Sequence, residues 1–218
     1  MMSRKSVTGR LHDSSFGYVV GAFLLLFFFS FSTGGHTEEY LLEGETPVRF
    51  SILSEGSRVA FHAKSTGHSF TGVTNRIRGE ISFVPARIEE TFKTEVHIDA
   101  ASLDTDNKGR NKNMRKKYLE TEKYPEITFV SDKFTVIEKG ITQGILRGKA
   151  SGKLTIHGMS REIVLDVFGK IEGDTIEVRG ETPLRITDFG IPLPKMLFIK
   201  VKDDIRVEFE VEGRRIEP

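Results

Sequence analysis

The stretch KLTIHGMSREIVLDV, Lys153 to Val167, places two apolar runs on either side of a histidine and a glycine. In the second run Ile163, Leu165 and Val167 occupy every other position, the period of two that is typical of a strand with one buried face. His157 stands between the runs. In that place a histidine is either an acid, base or metal ligand at a strand end, or the first residue of a turn. The first interpretation predicts a reactive site, and the second predicts a hairpin of an all-β protein.

The same alternation recurs along the chain and decides the fold class. Five further segments show it: RVAFHAK (58–64), GEISFVP (79–85), TEVHIDA (94–100), EITFVSDKFTVIE (126–138, with a bulge expected in the middle) and RVEFEVEG (206–213). Turn signals rich in glycine and aspartate separate these segments. Many alternating strands joined by short turns predict an antiparallel sandwich or barrel.

One segment departs from the alternation, between Asp104 and Pro125. It is highly polar, and Met114 and Tyr118 lie four residues apart, which is a helical spacing. We expect a short helix with Asp104 or Asp106 as its N-cap, because short acidic side chains accept hydrogen bonds from the first free amides of a helix. Its basic side chains form either a solvated face or a cationic cluster at one end of the barrel for an anionic head group.

The N-terminus resembles an export signal. Three basic residues precede an apolar run at 18–31, and small residues follow it. The run is shorter than the roughly 20 residues that span a bilayer, so residues 1–33 are predicted to be a cleaved signal peptide or an N-terminal anchor. Cleavage is expected between Ser30 and Gly35. Residues 34–46 would then be a linker and 47–214 the folded domain, outside the cytoplasm.

Composition and motifs argue against several classes of protein. The formal net charge is +1, which gives no basic field for nucleic acid, and the absence of cysteine excludes disulfides and thiolate metal sites. The six histidines show no metal-ligand spacing, and no nucleophile elbow, phosphate loop or dinucleotide fingerprint is present. We therefore predict no enzyme, no metal and no cofactor. Of the 17 phenylalanines, 11 lie beyond Thr33, and they fill either a solid core or the wall of a ligand cavity.

A resemblance to a known family favours a ligand cavity over a solid core. Five blocks carry it: SFTGVTNRIRGEISFVP (69–85), VHIDAASLDTDNKGR (96–110), YLETEKYPEITFVSDKF (118–134), GKLTIHGMSREIVLDV (152–167) and RITDFGI (185–191). In this order they resemble the YceI family over nearly all of the domain. The resemblance implies an extended, lipocalin-like antiparallel barrel with a short helical segment at one end. It also implies a periplasmic protein whose long tunnel takes polyisoprenoids or similar lipids, and a structural turn at His157 and Gly158.

The resemblance and the alternation together select ligand-binding residues. The predicted tunnel contacts are Phe61, Phe70, Ile81, Phe83, Ile98, Phe129, Leu154 and Phe189. The predicted head-group contacts are Arg110 and Arg115, with the alternative that Arg110 forms an ion pair with Asp104 or Asp106. The family pattern Arg-Asp-x-His-Leu-Arg is here RNKNMR, 110–115, so the arginines remain but asparagines replace the aspartate and the histidine.

The predicted function is to hold a long amphiphilic lipid, such as a polyisoprenoid, an isoprenoid quinone or a fatty-acid derivative, for transport, storage or stress protection. An enzyme acting on a lipid in the same tunnel and a solid-core interaction domain are the alternatives. An uncleaved leader would add membrane contact through residues 18–31. Homodimer formation is an open alternative to a monomer.

Overall fold

The computed structural model describes residues 42–140, 143–196 and 199–217. The predicted leader and most of the predicted linker, up to residue 41, lie outside these ranges. The described strands are β1 (Val48–Ser65), β2 (His68–Thr74), β3 (Ile77–Phe83), β4 (Lys93–Asp99), β5 (Glu126–Gly140), β6 (Ile145–Ile156), β7 (Met159–Glu172), β8 (Thr175–Arg185), β9 (Lys195–Met196) and β10 (Ile199–Ile216). The helices are α1 (Ile88–Thr91) and α2 (Lys108–Asn113), the latter continued by a π-helical turn, Met114–Tyr118.

Eight of these strands close into an antiparallel barrel. The ring runs β1-β3-β4-β5-β6-β7-β8-β10, and pairing of β10 with β1 closes it. The first half of β1 pairs with β3 and its second half with β2, so β2 and β3 share one position in the wall. A bulge in β1 between Leu53 and Arg58 allows this change of partner, and the Ser57 hydroxyl accepts a hydrogen bond from Glu212 N there. The predicted lipocalin-like, all-β barrel is confirmed.

Alternation along the strands matches the two faces of the wall. On β7, Ile163, Leu165 and Val167 face the lumen, whereas Val164 is 50% exposed on the outside. The bulge expected in β5 occurs between Ser131 and Lys133, where the Ser131 hydroxyl donates to the carbonyl of Ser151. In β7 and β5 a period of two therefore identified the strand faces and the interruption.

Glycines in the wall make room for aromatic rings from neighbouring strands. A Cβ atom added to Gly72, Gly148 or Gly180 would come closer than 3.0 Å to a phenylalanine ring, which real Cβ atoms almost never do. The rings concerned are those of Phe61, Phe134 and Phe209. Each ring thus lies against the bare backbone of a neighbouring strand, the arrangement that compensates glycine in β-sheets.

The cap closes one end of the barrel, and we define it as residues 100–124 and 186–191. Asp104 pairs with Val73 of β2 in an isolated bridge, so the cap also covers a free strand edge. The expected capping residue was wrong. Asn107, not Asp104 or Asp106, caps α2, and its side chain accepts a hydrogen bond from Arg110 N. Within the described ranges, no helix has the length and apolar character that crossing a membrane requires.

The opposite end, the α1 end, is closed by apolar packing. Leu42 and Phe50 are fully buried there, in one cluster with Ile88 of α1. Hydrogen bonds from β5 hold both α1 and the turn before it: Val136 N donates to the Glu89 carboxylate, and the Lys139 ammonium donates to the carbonyl of Pro85. This end of the lumen therefore has a dense floor.

Candidate functional site: an apolar lumen between a floor and a cap

A cavity of about 170 Å³ lies inside the barrel. Its wall consists of inward-facing side chains from β1, β3, β4, β5, β6, β7, β8 and β10 together with α1, and none of them is charged. On β6 the lining runs from Leu146 to Leu154, a span of about 26 Å along the strand. With the strand tilt of about 40° common in barrels, this corresponds to roughly 20 Å along the axis. The cavity is thus long and narrow.

The two polar side chains in the lining, Thr94 and Thr182, add little polarity. The Thr94 hydroxyl donates to the carbonyl of Glu80 at 2.9 Å, and the Thr182 hydroxyl donates more weakly to the carbonyl of Pro183 at 3.4 Å. Because both hydroxyls are engaged with backbone, the lumen presents hydrocarbon to whatever enters it. A charged or strongly polar group placed there would lose its hydration without gaining partners.

The lumen is not a filled core. Val96, Ile98, Phe129, Leu165 and Phe209 point inward but remain only partly buried, because the cavity leaves part of their surface open. An engineered cavity of about 150 Å³ with similar apolar lining stays dry and binds small hydrocarbons. The cavity therefore suits an apolar chain, and it weakens the alternative of a solid-core interaction domain.

Five of the eight predicted tunnel contacts line this cavity: Ile81, Phe83, Ile98, Phe129 and Leu154. The other three lie in or beside the cap and outside the cavity lining. As ligand contacts all eight stay predictions. Phe189 is 2% exposed and packs with Leu103 and Leu119. Phe61 and Phe70 meet edge to face, with ring centroids 6.2 Å apart.

Arg110 is engaged with its own cap. Its Nε donates to the Thr105 hydroxyl at 2.8 Å, its Nη2 donates to the Thr105 carbonyl at 2.7 Å, and its guanidinium lies 4.4 Å from the centre of the Phe70 ring. The alternative predicted for Arg110, an ion pair with Asp104 or Asp106, is replaced by these contacts. Asp104 instead accepts from Asn111, which lowers the pKa of its carboxyl, with the amide of Asp106 adding to the effect. Arg110 thus fixes the cap to β2.

Arg115 differs from Arg110 in its partners. Its Nη2 makes one long hydrogen bond, 3.4 Å, to the carbonyl of Leu103. Its Nε is buried and has no hydrogen-bond partner among the described residues. A buried unpaired donor is unfavourable, and more so on a cation. Arg115 therefore has hydrogen-bonding capacity that an anionic group at the cap would satisfy.

His157 forms a turn, as the second interpretation of its sequence predicts. His157 and Gly158 have φ angles of 52° and 71°, so this two-residue hairpin has the positive angles of a type I′ turn at both positions. The Nε2 atom of His157 lies 2.6 Å from the Glu120 carboxylate, and its Nδ1 lies 3.4 Å from the carbonyl oxygen of Phe189. The structural role is confirmed, and the contacts reach both segments of the cap.

The remaining histidines with described side chains sit on the outer wall. His97 bonds to Glu95 and Glu126, and His62 bonds to Glu208 and Thr71. The bond from His97 lowers the pKa of Glu126, with Arg78 adding to the effect. In the described part of the chain no three His, Cys, Asp or Glu side chains converge as metal ligands. These contacts stabilise the wall and face away from the lumen.

A wider depression of about 480 Å³ lies on the outer wall. It contains Arg58, Arg147 and Arg179, but Asp166, Glu181, Glu208 and Glu210 lie among them. The Arg179 guanidinium stacks 4.5 Å from the centre of the Phe168 ring, and Arg147 pairs with Glu138. Although it is larger than the lumen, it is open and of mixed charge, which is typical of a solvated face.

The lining residues at the floor of the lumen were not predicted from the sequence. Ile88 and Phe92 line the cavity, but they come from α1 and the connection to β4, where no alternation marks a face. Ala150, Val167 and Val211 also line it, and the period of two in their strands was sufficient to find them.

Together these features define a class: an antiparallel barrel with an apolar lumen, an apolar floor and a hydrogen-bonded cap. A family model described as YceI-like domain matches residues 50–213. A UPF0312 protein of Vibrio campbellii is 30% identical over 178 residues, covering 75% of this chain and 88% of the relative. The chain belongs to the YceI family.

Two solved structures share the fold. BcnA of Burkholderia cenocepacia superposes with a TM-score of 0.63 at 22% identity, covering 74% of this chain and 98% of that one. A polyisoprenoid binding domain from Saccharophagus degradans, implicated in plant cell wall breakdown, gives 0.61 at 16% identity, covering 77% and 98%. At these identities the likeness concerns the fold.

Proposed function

We propose that the protein binds the apolar chain of a long amphiphilic lipid in its lumen and carries or stores it outside the cytoplasm. The observation that carries the proposal is the uncharged cavity enclosed by a barrel whose outer wall bears ion pairs. The shared fold with a polyisoprenoid binding domain supports an isoprenoid as the lipid. Quinones and fatty-acid derivatives meet the same chemical requirement.

Burial of a chain supplies enough free energy without any catalytic group. Ligands gain about 0.3 kcal/mol per heavy atom on average, so a chain of roughly 20 carbons, which a lumen of roughly 20 Å can hold, reaches about 6 kcal/mol, an affinity of tens of micromolar. No catalytic step is part of the proposal. Asp99, at the end of β4, caps a turn by accepting from Ala101 N, and His157 holds the cap.

The polar head of the lipid is assigned to the cap end. The lumen offers no partner for a charge, and the floor is apolar, so a head group gains most by staying near the cap. Arg115 supports this assignment through its buried, unpaired Nε. Guanidinium groups bind phosphate or carboxylate through paired, charge-assisted hydrogen bonds.

Export is part of the proposal and rests on the sequence of residues 1–33. N-terminal sequencing of the protein from the periplasmic fraction is expected to start between Phe31 and His36. An N-terminus at Met1 in the membrane fraction would contradict cleavage and favour the anchor, with membrane contact through residues 18–31.

Native mass spectrometry of the protein purified from its own periplasm tests lipid binding directly. The expected result is a protein mass increased by one bound lipid, which organic extraction releases and identifies. A protein without bound lipid that also fails to take up a prenyl alcohol or a fatty acid after purification would contradict the proposal. The same spectra report whether a homodimer forms.

A further inference from the structure

A pair of aromatic rings lines the lumen toward the α1 end. Phe92 and Phe134 lie with ring centroids 5.1 Å apart and planes tilted by 39°. Both rings line the cavity and both are nearly fully buried, at 8% and 6% exposure. Ile88 of α1 lines the cavity beside them. These three side chains therefore form one side of the surface that the end of a bound chain would meet.

Packing continues beyond this lining layer. Leu42 and Phe50 belong to the same apolar cluster and are fully buried, yet neither lines the cavity. Phe50 stacks on Phe83 at 6.2 Å between ring centroids. A chain that reached Phe92 would have to displace side chains that are themselves backed by a close-packed layer, and packed interiors resist such displacement.

Hydrogen bonds also hold the segment that carries Phe92. Thr91 accepts from Val84 N and donates to the carbonyl of Arg87, and the Glu89 carboxylate accepts from Val136 N. The segment is thereby fixed to β5 on one side and to the end of β3 on the other. A fixed segment defines a definite depth for the lumen.

We propose that Phe92 and Phe134 set the maximum length of the apolar chain that the barrel accepts. This inference rests on the proposed function, because it presupposes that a chain enters from the cap end and extends toward the floor. Chain carbons that fit above the two rings are buried and raise affinity by about fourfold per methylene, from about 0.8 kcal/mol each at tenfold per 1.4 kcal/mol. Carbons beyond that depth add nothing.

The test uses linear prenyl alcohols that differ by one isoprene unit, titrated against the delipidated protein. For the unmodified protein, affinity is expected to rise with each unit and then stop rising at a cut-off length. Phe92→Leu and Phe92→Ala open space below that depth, so the cut-off moves to longer alcohols. At the first length beyond the original cut-off, Phe92→Ala is expected to bind at least about fourfold more tightly than the unmodified protein.

Phe50→Leu is the matched control. It makes the same change as Phe92→Leu in the same cluster but behind the lining, so the cut-off is expected to stay in place. Val178→Phe provides a test in the opposite direction and keeps the inference falsifiable if Phe92→Ala does not fold. Val178 lines the cavity and is only partly buried, so a larger side chain there shortens the lumen and the cut-off.

The outcomes distinguish a failure of the proposed function from a failure of the length inference. An unmodified protein that binds none of the alcohols contradicts the proposed function itself. Binding with a cut-off that neither the Phe92 variants nor Val178→Phe moves overturns the length inference alone. A cut-off that Phe50→Leu moves as far as Phe92→Leu overturns it as well, because general loosening would then explain the shift.

Discussion

The α1 end and the cap bury similar apolar side chains but hold them by different interactions. At the α1 end Phe50 is completely buried in an apolar cluster that includes residues of the strands, Ile88 of α1 and Leu42. At the cap Leu119 and Phe189 are almost as buried, but hydrogen bonds of Glu120 and Thr187 to the barrel help to hold the segments that carry them. Individual hydrogen bonds contribute about 1 kcal/mol each and break locally, whereas a packed core opens only with the whole domain.

If the barrel loads a lipid as proposed, this difference assigns separate tasks to the two ends. A barrel that loads a lipid needs one end that opens without unfolding and another that stays closed. The cap suits the end that opens, because its short segments are not held between two strands of the sheet. The α1 end corresponds to the end that stays closed. The predictions below test the contrast, beginning with the largest expected effect.

Phe50→Ala is expected to destabilise the whole domain by about 3–5 kcal/mol, because it removes a ring from a site with no exposed surface. Chemical denaturation followed by circular dichroism measures this loss as a lower midpoint. A loss below about 1 kcal/mol would mean that the floor is loosely packed, and the contrast between the ends would fail.

His157→Asn separates the turn from the cap contacts. Asparagine followed by glycine suits a type I′ turn, so the hairpin between β6 and β7 is expected to remain. The contacts to Glu120 and Phe189 are lost. Hydrogen exchange of the amides at 104–124 is expected to accelerate, corresponding to about 1–3 kcal/mol less protection. Unchanged exchange there, with an intact β6–β7 hairpin, would show that His157 does not hold the cap.

Arg115→Ala is expected to remove the preference for a prenyl phosphate over the matching prenyl alcohol, by about tenfold, with little change in melting temperature. Arg110→Ala is the matched control. It loses its bonds to Thr105 and its contact with Phe70, so lower melting with an unchanged preference is expected. Loss of the phosphate preference in Arg110→Ala but not in Arg115→Ala would reverse the assignment.

Asp203 gives the cap a modest acid sensitivity. The Thr187 hydroxyl and amide, followed by Arg185, lower the pKa of its carboxyl in the folded state. A lowered pKa stabilises the fold above the ordinary aspartate value of about 3.9, and this contribution is lost as pH falls through the lower folded value.

Asp203→Asn is therefore expected to melt at lower temperature than the unmodified protein at neutral pH, by no more than about 2–4 °C. The difference in melting temperature should narrow below about pH 3.9, where protonation of Asp203 begins to remove the stabilisation that its carboxylate provides. A difference that is the same at neutral and at acidic pH would mean that the charge of Asp203 is not what holds Thr187.

The sequence predicted the wall of the barrel better than its ends. Alternation in β4 and β5 identified Ile98 and Phe129 as lumen residues, because a strand in a closed barrel has a fixed inner face. The same rule carried no information about Phe92, whose orientation depends on how α1 packs on β5. The role of Asn107 as the cap of α2 was also missed, since Asp104, Asp106 and Asn107 are all suitable capping residues and only the chain path decides among them.

The head-group residues show a second limit of sequence reasoning. Arg110 and Arg115 are both arginines that the family pattern retains, and the sequence ranks Arg110 first. Only the folded contacts distinguish them: Arg110 is bonded to Thr105, and Arg115 keeps a buried donor without a partner among the described residues.

The most direct test of the central claim, that the lumen holds the lipid chain, compares two neighbouring residues of β6. Ala150 is buried and lines the cavity, whereas the side chain of Ser151 faces the outer wall. Ala150→Leu and Ser151→Leu add comparable volume to opposite faces of one strand. Titration of a prenyl alcohol into each folded, delipidated variant is predicted to show at least about tenfold weaker binding for Ala150→Leu and native affinity for Ser151→Leu. Native affinity in both variants, or an equal loss in both, would contradict binding inside the barrel.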